Sequence, residues 1–70
     1  MNIVVLGSGT FGTAIANELS FNKKNNVVLF TSNTIKALEI NTKHTNKVSF
    51  PNKVLNACLE ATNDESIFTN

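Results

Sequence analysis

The stretch Gly7-Ser8-Gly9-Thr10-Phe11-Gly12-Thr13-Ala14 decides the fold of this chain. It follows an apolar run, Ile3 to Leu6, and it opens a segment with helical periodicity. A buried strand, a tight glycine turn and a helix N-terminus, in that order, form the βα turn that binds dinucleotides. Glycines also cluster in turns for other reasons, so a glycine-rich βα turn that binds nothing is the alternative interpretation.

Each glycine of this turn has an expected role. Gly7 allows the chain to turn sharply off the strand, and Gly9 leaves room for a pyrophosphate to approach the backbone. Gly12 lets the helix pack close to the sheet. The free N–H groups of the first helical turn lie at the positive end of the helix dipole, and they are expected to hold the phosphates.

The composition restricts the classes of function. The chain has 70 residues and a formal net charge of +1, so it forms at most one small domain, which buries only about 60% of its unfolded surface. There is no basic stripe with interleaved aromatic residues, so no nucleic-acid partner is expected. The apolar runs are far shorter than the ~20 residues that span a bilayer, so no membrane is expected. The first strand begins at residue 2 or 3, which leaves no room for a targeting segment, and the expected compartment is the cytosol.

No residue of the chain is predicted to be catalytic or to bind a metal. Cys58 is the single cysteine, has no nearby metal-ligand partners, and is expected to be a small buried hydrophobic residue. His44 lies in a helix end rich in lysine and threonine without a nearby carboxylate, and it is predicted to be a solvated surface residue. Asp64 and Glu65 lie at a helix start, where negative charge suits the dipole.

The first half of the chain predicts a βαβ unit. The strand from Ile3 to Leu6 is a continuous apolar run, typical of a strand covered on both faces. A helix is predicted from Thr10 to between Ser20 and Asn22, and a second buried strand from Val27 to Phe30. The predicted inner face of the helix comprises Phe11, Ala14, Ile15 and Leu19, and the outer face includes Asn17 and Glu18.

A second helix follows, with Asn33 as its predicted N-cap. Glu39 and Lys43 are spaced i, i+4 and are expected to pair for a few tenths of a kcal/mol. The predicted inner face of this helix comprises Ile35, Leu38 and Thr42.

The last third of the chain predicts a loop, a strand and a helix start. The loop runs from Asn46 to Lys53, where Pro51 blocks a helix or a central strand. A weaker third strand is predicted near Ala57 to Ala61. Thr62 and Glu65 have the spacing of a capping box, so a third helix is predicted to begin there and to run towards Asn70.

The predicted fold class is therefore α/β: a Rossmann-like βαβαβ fragment with a parallel sheet in strand order 3-2-1. Residues 1–70 are expected to form part of an N-terminal dinucleotide-binding domain. In this order the first strand lies at an edge of the sheet. Its unpaired backbone groups predict a chain that is poorly stable or that associates with itself.

The end of the second strand is where a Rossmann unit meets the adenosine ribose. Here the residues are Thr31, Ser32 and Asn33, without the carboxylate that favours NAD, and Lys36 lies one turn away. The hydroxyl groups of Thr31 and Ser32 are candidate donors to a 2′-phosphate, which favours tolerance of NADP slightly. The alternative is that these residues serve only to start the helix.

Residues Gly7 to Ala16 closely resemble the opening of the bacterial-type NAD(P)-dependent glycerol-3-phosphate dehydrogenases. In that family the glycine turn is followed by Ser or Thr, an aromatic residue and then Gly-Thr-Ala. The likeness extends over nearly the whole chain, through Leu29-Phe30, Ile40-Asn41, Thr45-Asn46-Lys47, Phe50-Pro51-Asn52 and Leu59 to Asp64.

The resemblance implies a nicotinamide cofactor, NAD or NADP, and reversible hydride transfer between glycerol 3-phosphate and dihydroxyacetone phosphate, which feeds glycerophospholipid synthesis. It also implies that the catalytic lysine, the substrate-phosphate contacts and a helical substrate domain lie beyond residue 70. The chain alone is therefore expected to be inactive, and to meet the substrate only within a full-length parent. A standalone nucleotide-binding or regulatory module and a non-functional remnant are the alternatives.

The resemblance also implies the positions that contact the cofactor. Thr10 and Phe11 would lie on the pyrophosphate and nicotinamide side, Ser32 and Asn33 at the adenosine end, and Ser49 near the cofactor. The family commonly has Arg in place of Ser32 and Tyr in place of Ser49. The first departure implies a weaker hold on the adenine and 2′-phosphate region, and the second removes a ring that would cover the cofactor.

Overall fold

Three parallel strands alternate with two α-helices in the computed structural model, which describes residues 1–68. The elements in chain order are β1 (Asn2–Leu6), α1 (Thr10–Ser20), β2 (Asn26–Phe30), α2 (Thr34–Lys43) and β3 (Glu60–Thr62), followed by a 3₁₀ turn (Glu65–Phe68). The sheet order is β1-β2-β3 with parallel pairing throughout. The predicted βαβαβ fold and the order 3-2-1, read from the other edge, are confirmed.

The core lies between one face of the sheet and the two helices. One cluster of buried side chains joins both helices to the sheet and to the segment before β3. Its members are Ala16, Val27, Leu29, Ala37, Ile40, Leu55, Leu59 and Ala61. No helix within the described range 1–68 has the length and apolar character needed to cross a bilayer.

The opposite face of the sheet lacks a covering helix among the described residues. Val4 is 43% exposed and Leu6 is 69% exposed, and their partners in the register, Val28 and Phe30, are half-buried. The prediction that β1 is covered on both faces is therefore wrong. Both helices lie on the other side of the sheet, so only alternate residues of the strand reach the core.

The predicted inner face of α1 is confirmed only at Leu19, which packs against the core. Phe11 is 78% and Ile15 38% exposed, whereas Asn17 is only 4% exposed. The complete set of buried residues is Thr13, Ala16, Asn17 and Ser20. The Asn17 Oδ1 accepts from the backbone N–H of Asn56 at 2.7 Å, 39 residues along the chain. The rotation of the helix therefore agrees with its polar contacts to distant backbone rather than with its apolar stripe.

The predicted inner face of α2 is also wrong. Ile35 and Leu38 are 78% and 63% exposed, and Thr42 is exposed as well. The helix instead buries Ala37 and Ile40. The side-chain amide of Asn41 pairs with the backbone of Ala61, donating at 2.8 Å and accepting at 2.8 Å. This double hydrogen bond anchors α2 to β3 and sets the rotation of the helix.

The third strand is shorter and later than predicted. Ala57 and Cys58 lie in a turn before β3, where the Asn56 Oδ1 accepts from the backbone N–H of Cys58 at 3.1 Å. Cys58 is exposed, so its predicted burial is wrong. The turn directs the Cys58 side chain away from the core, while the next residue, Leu59, is buried.

The predicted capping box after β3 does not form. Thr62 Oγ1 accepts from the backbone N–H of Asp64 at 3.0 Å, and Asp64 Oδ1 accepts from that of Ser66 at 2.9 Å. Asp64 rather than Thr62 therefore caps the turn that follows, which is a single 3₁₀ turn. The rest of the predicted third helix falls on residues 69 and 70, outside the described residues.

Candidate functional site

The glycine turn joins the carboxyl end of β1 to the N-terminus of α1. Gly7 has a φ of +94°, a backbone conformation that residues other than glycine rarely adopt. A Cβ on Gly12 would lie 2.3 Å from the carbonyl oxygen of Gly7, so only glycine allows the helix to come this close. The roles predicted for Gly7 and Gly12 are therefore confirmed. A Cβ on Gly9 would meet no protein atom within 4 Å, so the fold itself leaves this position free.

The first turn of α1 presents backbone N–H groups without side-chain caps. Gly9 is the N-cap and supplies no side-chain hydrogen bond. The first helical hydrogen bond runs from the Thr13 N–H to the Gly9 carbonyl at 3.0 Å, so the N–H groups before Thr13 lack the usual partner four residues back. There is no acidic residue in this turn. An anion is what this arrangement attracts, because the dipole and the free donors act together.

A buried hydrogen-bond network holds the glycine turn on its protein-facing side. The Ser8 hydroxyl pairs with the Thr31 hydroxyl at 2.8 Å. The Ser8 carbonyl accepts from Thr13 Oγ1 at 3.1 Å and from Asn46 Nδ2 at 2.9 Å, and Asn46 Nδ2 also donates to Thr13 Oγ1 at 3.0 Å. Asn46 and Thr13 are both fully buried. The shape of the glycine turn is thus set by residues from α1, from the end of β2 and from the loop after α2.

Neither Asn46 nor Thr13 is among the site residues that the sequence predicts. Asn46 begins a segment without periodicity, so its burial leaves no trace in the local pattern. Thr13 stands on the helix face opposite to the apolar stripe. The one available signal is the Gly-Thr-Ala extension of the glycine turn, which includes Thr13.

The loop after α2 is irregular from Asn46 to Lys53, as predicted, and it borders the N-terminus of α1. Thr10 Oγ1 donates to the backbone carbonyl of Ser49 at 2.7 Å. Lys36 Nζ donates to the Ser49 hydroxyl at 2.9 Å. Three side chains from α1, α2 and the loop therefore meet here, and Phe11 extends from the same end of α1 into solvent.

The side chains of Thr31 and Asn33, which follow β2, form hydrogen bonds within the protein. Thr31 is only 3% exposed, and its Oγ1 also accepts from the Asn33 N–H at 3.1 Å. The expectation that the Thr31 hydroxyl is available to a ligand is therefore wrong. The Asn33 Oδ1 accepts from the backbone N–H groups of Ile35 and Lys36 at 3.0 and 3.1 Å, which confirms the predicted N-cap. Ser32 is exposed beside them.

Glu39 fixes the exit of the chain from α2. Its Oε2 accepts from Thr45 Oγ1 at 2.6 Å and from the Lys47 N–H at 3.0 Å. The hydrogen bond from Thr45, then that from the Lys47 backbone, hold the pKa of the Glu39 carboxyl below its usual value of 4.5. Lys43 adds only a smaller charge effect, so the main partners of Glu39 are not the lysine that the spacing predicts.

His44 ends α2 in a left-handed conformation with a φ of 57°. Its side chain is half-buried, and its Nδ1 is buried with no hydrogen-bond partner among residues 1–68. The prediction of a solvated surface histidine is therefore wrong for Nδ1, which is buried. The backbone carbonyl of His44 accepts from the Leu55 N–H at 2.7 Å, which closes the loop that carries Asn46 and Ser49.

Other concave surfaces lie away from the glycine turn. One, of about 320 Å³, follows the outer face of α2 and is lined by Ile35, Leu38, Glu39, Thr42, Lys43 and Lys47. In the part of the chain that the structure describes, no three His, Cys, Asp or Glu side chains gather as metal ligands.

Comparison with known proteins agrees with this geometry. Residues 2–67 match the family described as NAD-dependent glycerol-3-phosphate dehydrogenase N-terminus. A glycerol-3-phosphate dehydrogenase (NAD(P)+) of Mesoplasma florum is 42% identical over 62 residues, which is 89% of this chain and 18% of that protein. The protein of the same name from Neorickettsia sennetsu is 40% identical over 70 residues, or 100% of this chain and 21% of the relative. The chain thus spans about a fifth of the length of the curated relatives it matches.

Proposed function

The chain belongs to the family of NAD-dependent glycerol-3-phosphate dehydrogenase N-termini, and from this premise we propose that it is the NAD(P)-binding part of such an enzyme. In this proposal the pyrophosphate lies on Gly9 at the N-terminus of α1, in contact with Thr10 and Phe11. Ser32 and Asn33 border the adenosine end, and Ser49 borders the cofactor from the loop.

The observation that carries the proposal is the open N-terminus of α1. Gly7 and Gly12 are required by the fold, because one has a positive φ and the other touches the backbone of the first. Gly9 has no such requirement, since a Cβ there would meet no protein atom. A phosphate can approach the backbone at Gly9, because no side chain stands in the way and the neighbouring N–H groups of α1 have no side-chain cap.

The cofactor in this proposal is NAD or NADP, and the residues after β2 slightly favour tolerance of NADP. No carboxylate follows β2, where an acidic residue would bind the ribose hydroxyls and repel a 2′-phosphate. Lys36 lies in the first turn of α2, and its ammonium bonds to the Ser49 hydroxyl. Because the N-terminus of a helix is already positive, a lysine there favours an anionic ligand nearby.

The reaction proposed for the full-length parent is hydride transfer between NAD(P)H and the dihydroxyacetone phosphate/glycerol 3-phosphate pair in the cytosol, for glycerophospholipid synthesis. The chain contributes cofactor binding, as residues 1–70 of an N-terminal domain, and substrate is bound only by the parent. Dihydroxyacetone phosphate-dependent NADH oxidation by the purified 70-residue chain would contradict this division of roles.

The test of cofactor binding is a pair of glycine variants. Gly9→Ala keeps the free energy of unfolding within about 1 kcal/mol, because the gain in chain stiffness and the loss of a good N-cap are small and opposed. It weakens NADH binding by about tenfold or more, because the methyl group occupies the space of the pyrophosphate. Binding is followed by NADH fluorescence, and stability by thermal unfolding.

Gly12→Ala is the matched control for the size of the substitution. The same methyl group, 2.3 Å from the Gly7 carbonyl oxygen, costs about 1–3 kcal/mol of stability as an overpacked contact. If Gly9→Ala binds NADH as tightly as the unaltered chain, or if neither NADH nor NADPH binds at all, the proposed function is wrong.

A further inference from the structure

We propose that Asn46 is a positioning residue for dinucleotide binding, which holds the glycine turn in its phosphate-binding shape from the loop after α2. This inference rests on the proposed function. Asn46 touches the back of the turn and not the ligand, so it acts through the Ser8 carbonyl and the Thr13 hydroxyl.

The position of Asn46 sets it apart from the other loop residues. It is fully buried, although it stands in an irregular polar segment. Its Nδ2 donates to Ser8 O at 2.9 Å and to Thr13 Oγ1 at 3.0 Å, across 38 and 33 residues of sequence. Ser8 is the residue between the two glycines Gly7 and Gly9, so the amide fixes the part of the turn that the phosphate faces.

The cost of burying Asn46 argues that its role is specific. Its Oδ1 has no hydrogen-bond partner among residues 1–68, and an unsatisfied buried acceptor is unfavourable by about 1–3 kcal/mol. A leucine-sized apolar residue would avoid that cost but would leave the Ser8 carbonyl with one donor fewer. The gain that offsets the cost is the orientation of the turn.

A rigid turn matters because free N–H groups bind a phosphate only when they already point at it. Ser8 O is held by two donors, Thr13 Oγ1 and Asn46 Nδ2. With both in place, the Ser8–Gly9 peptide plane cannot rotate freely. Without Asn46, the turn becomes mobile and must be ordered when the ligand binds, which lowers affinity for the phosphate part of the ligand.

The experiment compares two ligands that differ only in their phosphates. ADP and adenosine are titrated into the 70-residue chain and its Asn46→Ala variant, with NMR chemical shifts as the readout. We expect ADP to bind about tenfold more weakly to the variant, a loss comparable to one good hydrogen bond. Adenosine affinity should change less than about twofold, because the adenosine end is formed by other residues.

Asn41→Ala is the matched control, because it also removes an asparagine amide with two long-range hydrogen bonds. It lowers the melting temperature but leaves the ratio of ADP to adenosine affinity unchanged. Asn46→Asp keeps the side-chain shape and places an oxygen opposite the Ser8 carbonyl, so it should lower ADP affinity at least as much as Asn46→Ala.

Thr13→Val keeps the proposal testable if the Asn46 variants do not fold, since it removes the hydroxyl from the same network at nearly constant volume. It is expected to lower ADP affinity selectively as well. A folded Asn46→Ala or Thr13→Val chain that binds ADP like the unaltered chain overturns the inference alone. An unaltered chain that binds neither ADP nor NADH overturns the proposed function with it.

Discussion

The fold requires two of the three glycines of the turn, each for a different reason. Gly7 is held by its positive φ and Gly12 by contact with the Gly7 carbonyl, whereas Gly9 meets open surface. Two of the three therefore have a role in the folded protein without any ligand. Packing and backbone conformation therefore account for Gly7 and Gly12 but not for Gly9, which is why the proposed binding role is tested at Gly9.

Lys36 is the residue at which the proposed tolerance of NADP is tested. Its Nζ donates to the Ser49 hydroxyl at 2.9 Å, and the Ser49 carbonyl in turn accepts from Thr10 at the N-terminus of α1. We expect Lys36→Met to weaken NADPH binding by about tenfold or more, as for a lost hydrogen bond to a charged group, and to affect NADH binding less. The measurement is the ratio of the two dissociation constants by NADH and NADPH fluorescence.

Lys43→Met is the control for Lys36→Met, because Lys43 is an exposed lysine in the last turn of the same helix. It should leave that ratio unchanged. An equal loss of NADH and NADPH affinity in Lys36→Met would assign the lysine to the pyrophosphate or to general electrostatic attraction, and a role of Lys36 in the tolerance of NADP would be rejected.

At the scale of elements, each helix is oriented by polar contacts with distant backbone. Asn17 of α1 accepts from the backbone of Asn56, and Asn41 of α2 pairs with Ala61. Such bonds favour one rotation of a helix about its axis, and at the buried Asn17 the loss of the partner is unfavourable by about 1–3 kcal/mol. In the rotation that pairs Asn41 with Ala61, the side chains of Ile35 and Leu38 stay exposed.

The C-terminal end of α2 carries a prediction about pH. The pKa of Glu39 is lowered in the folded chain, chiefly by the hydrogen bond from Thr45. A lowered pKa contributes stability above the unfolded value, near 4.5, and this contribution is lost as the pH falls through the folded value. Glu39→Gln should therefore have a lower free energy of unfolding than the unaltered chain at pH 7. The two free energies should converge as the pH falls below about 4.5 and through the lowered pKa of the folded chain.

Urea unfolding at a series of pH values measures this convergence. The pKa of Asp64 is also lowered, by the backbone hydrogen bond from Ser66, so both chains share its contribution and the difference between them isolates Glu39. A gap between the two stabilities that stays constant from pH 7 to the acid range would show that the Glu39 charge is irrelevant.

At the scale of the whole molecule, one face and one edge of the sheet remain open among residues 1–68. β1 pairs only with β2, and its side chains Val4 and Leu6 are exposed on the face away from the helices. Parallel sheets are ordinarily covered on both faces. We propose that the isolated chain associates with itself through this region, because an open edge with apolar side chains favours pairing.

Leu6→Lys tests this association. A lysine on an edge strand hinders edge pairing, and the 69% exposed Leu6 loses little packing when replaced. We expect sedimentation velocity to show a concentration-dependent larger species in the unaltered chain and much less of it in the variant. Ile35→Lys, at an exposed position on α2, is the control and should leave the amount of the larger species unchanged. If the unaltered chain is monomeric at all concentrations, the proposed self-association is wrong.

The sequence alone determined the order of the elements, the parallel sheet, the glycine turn and the family. These follow from local features: apolar runs, φ requirements at Gly7, and a motif read along the chain. Only the tertiary structure decided which faces of α1 and α2 are buried, that Cys58 is exposed, and that Asn46 lies under the turn. The reason is physical, since periodicity reports how apolar a face is, whereas burial depends on hydrogen bonds between residues 20 to 40 positions apart.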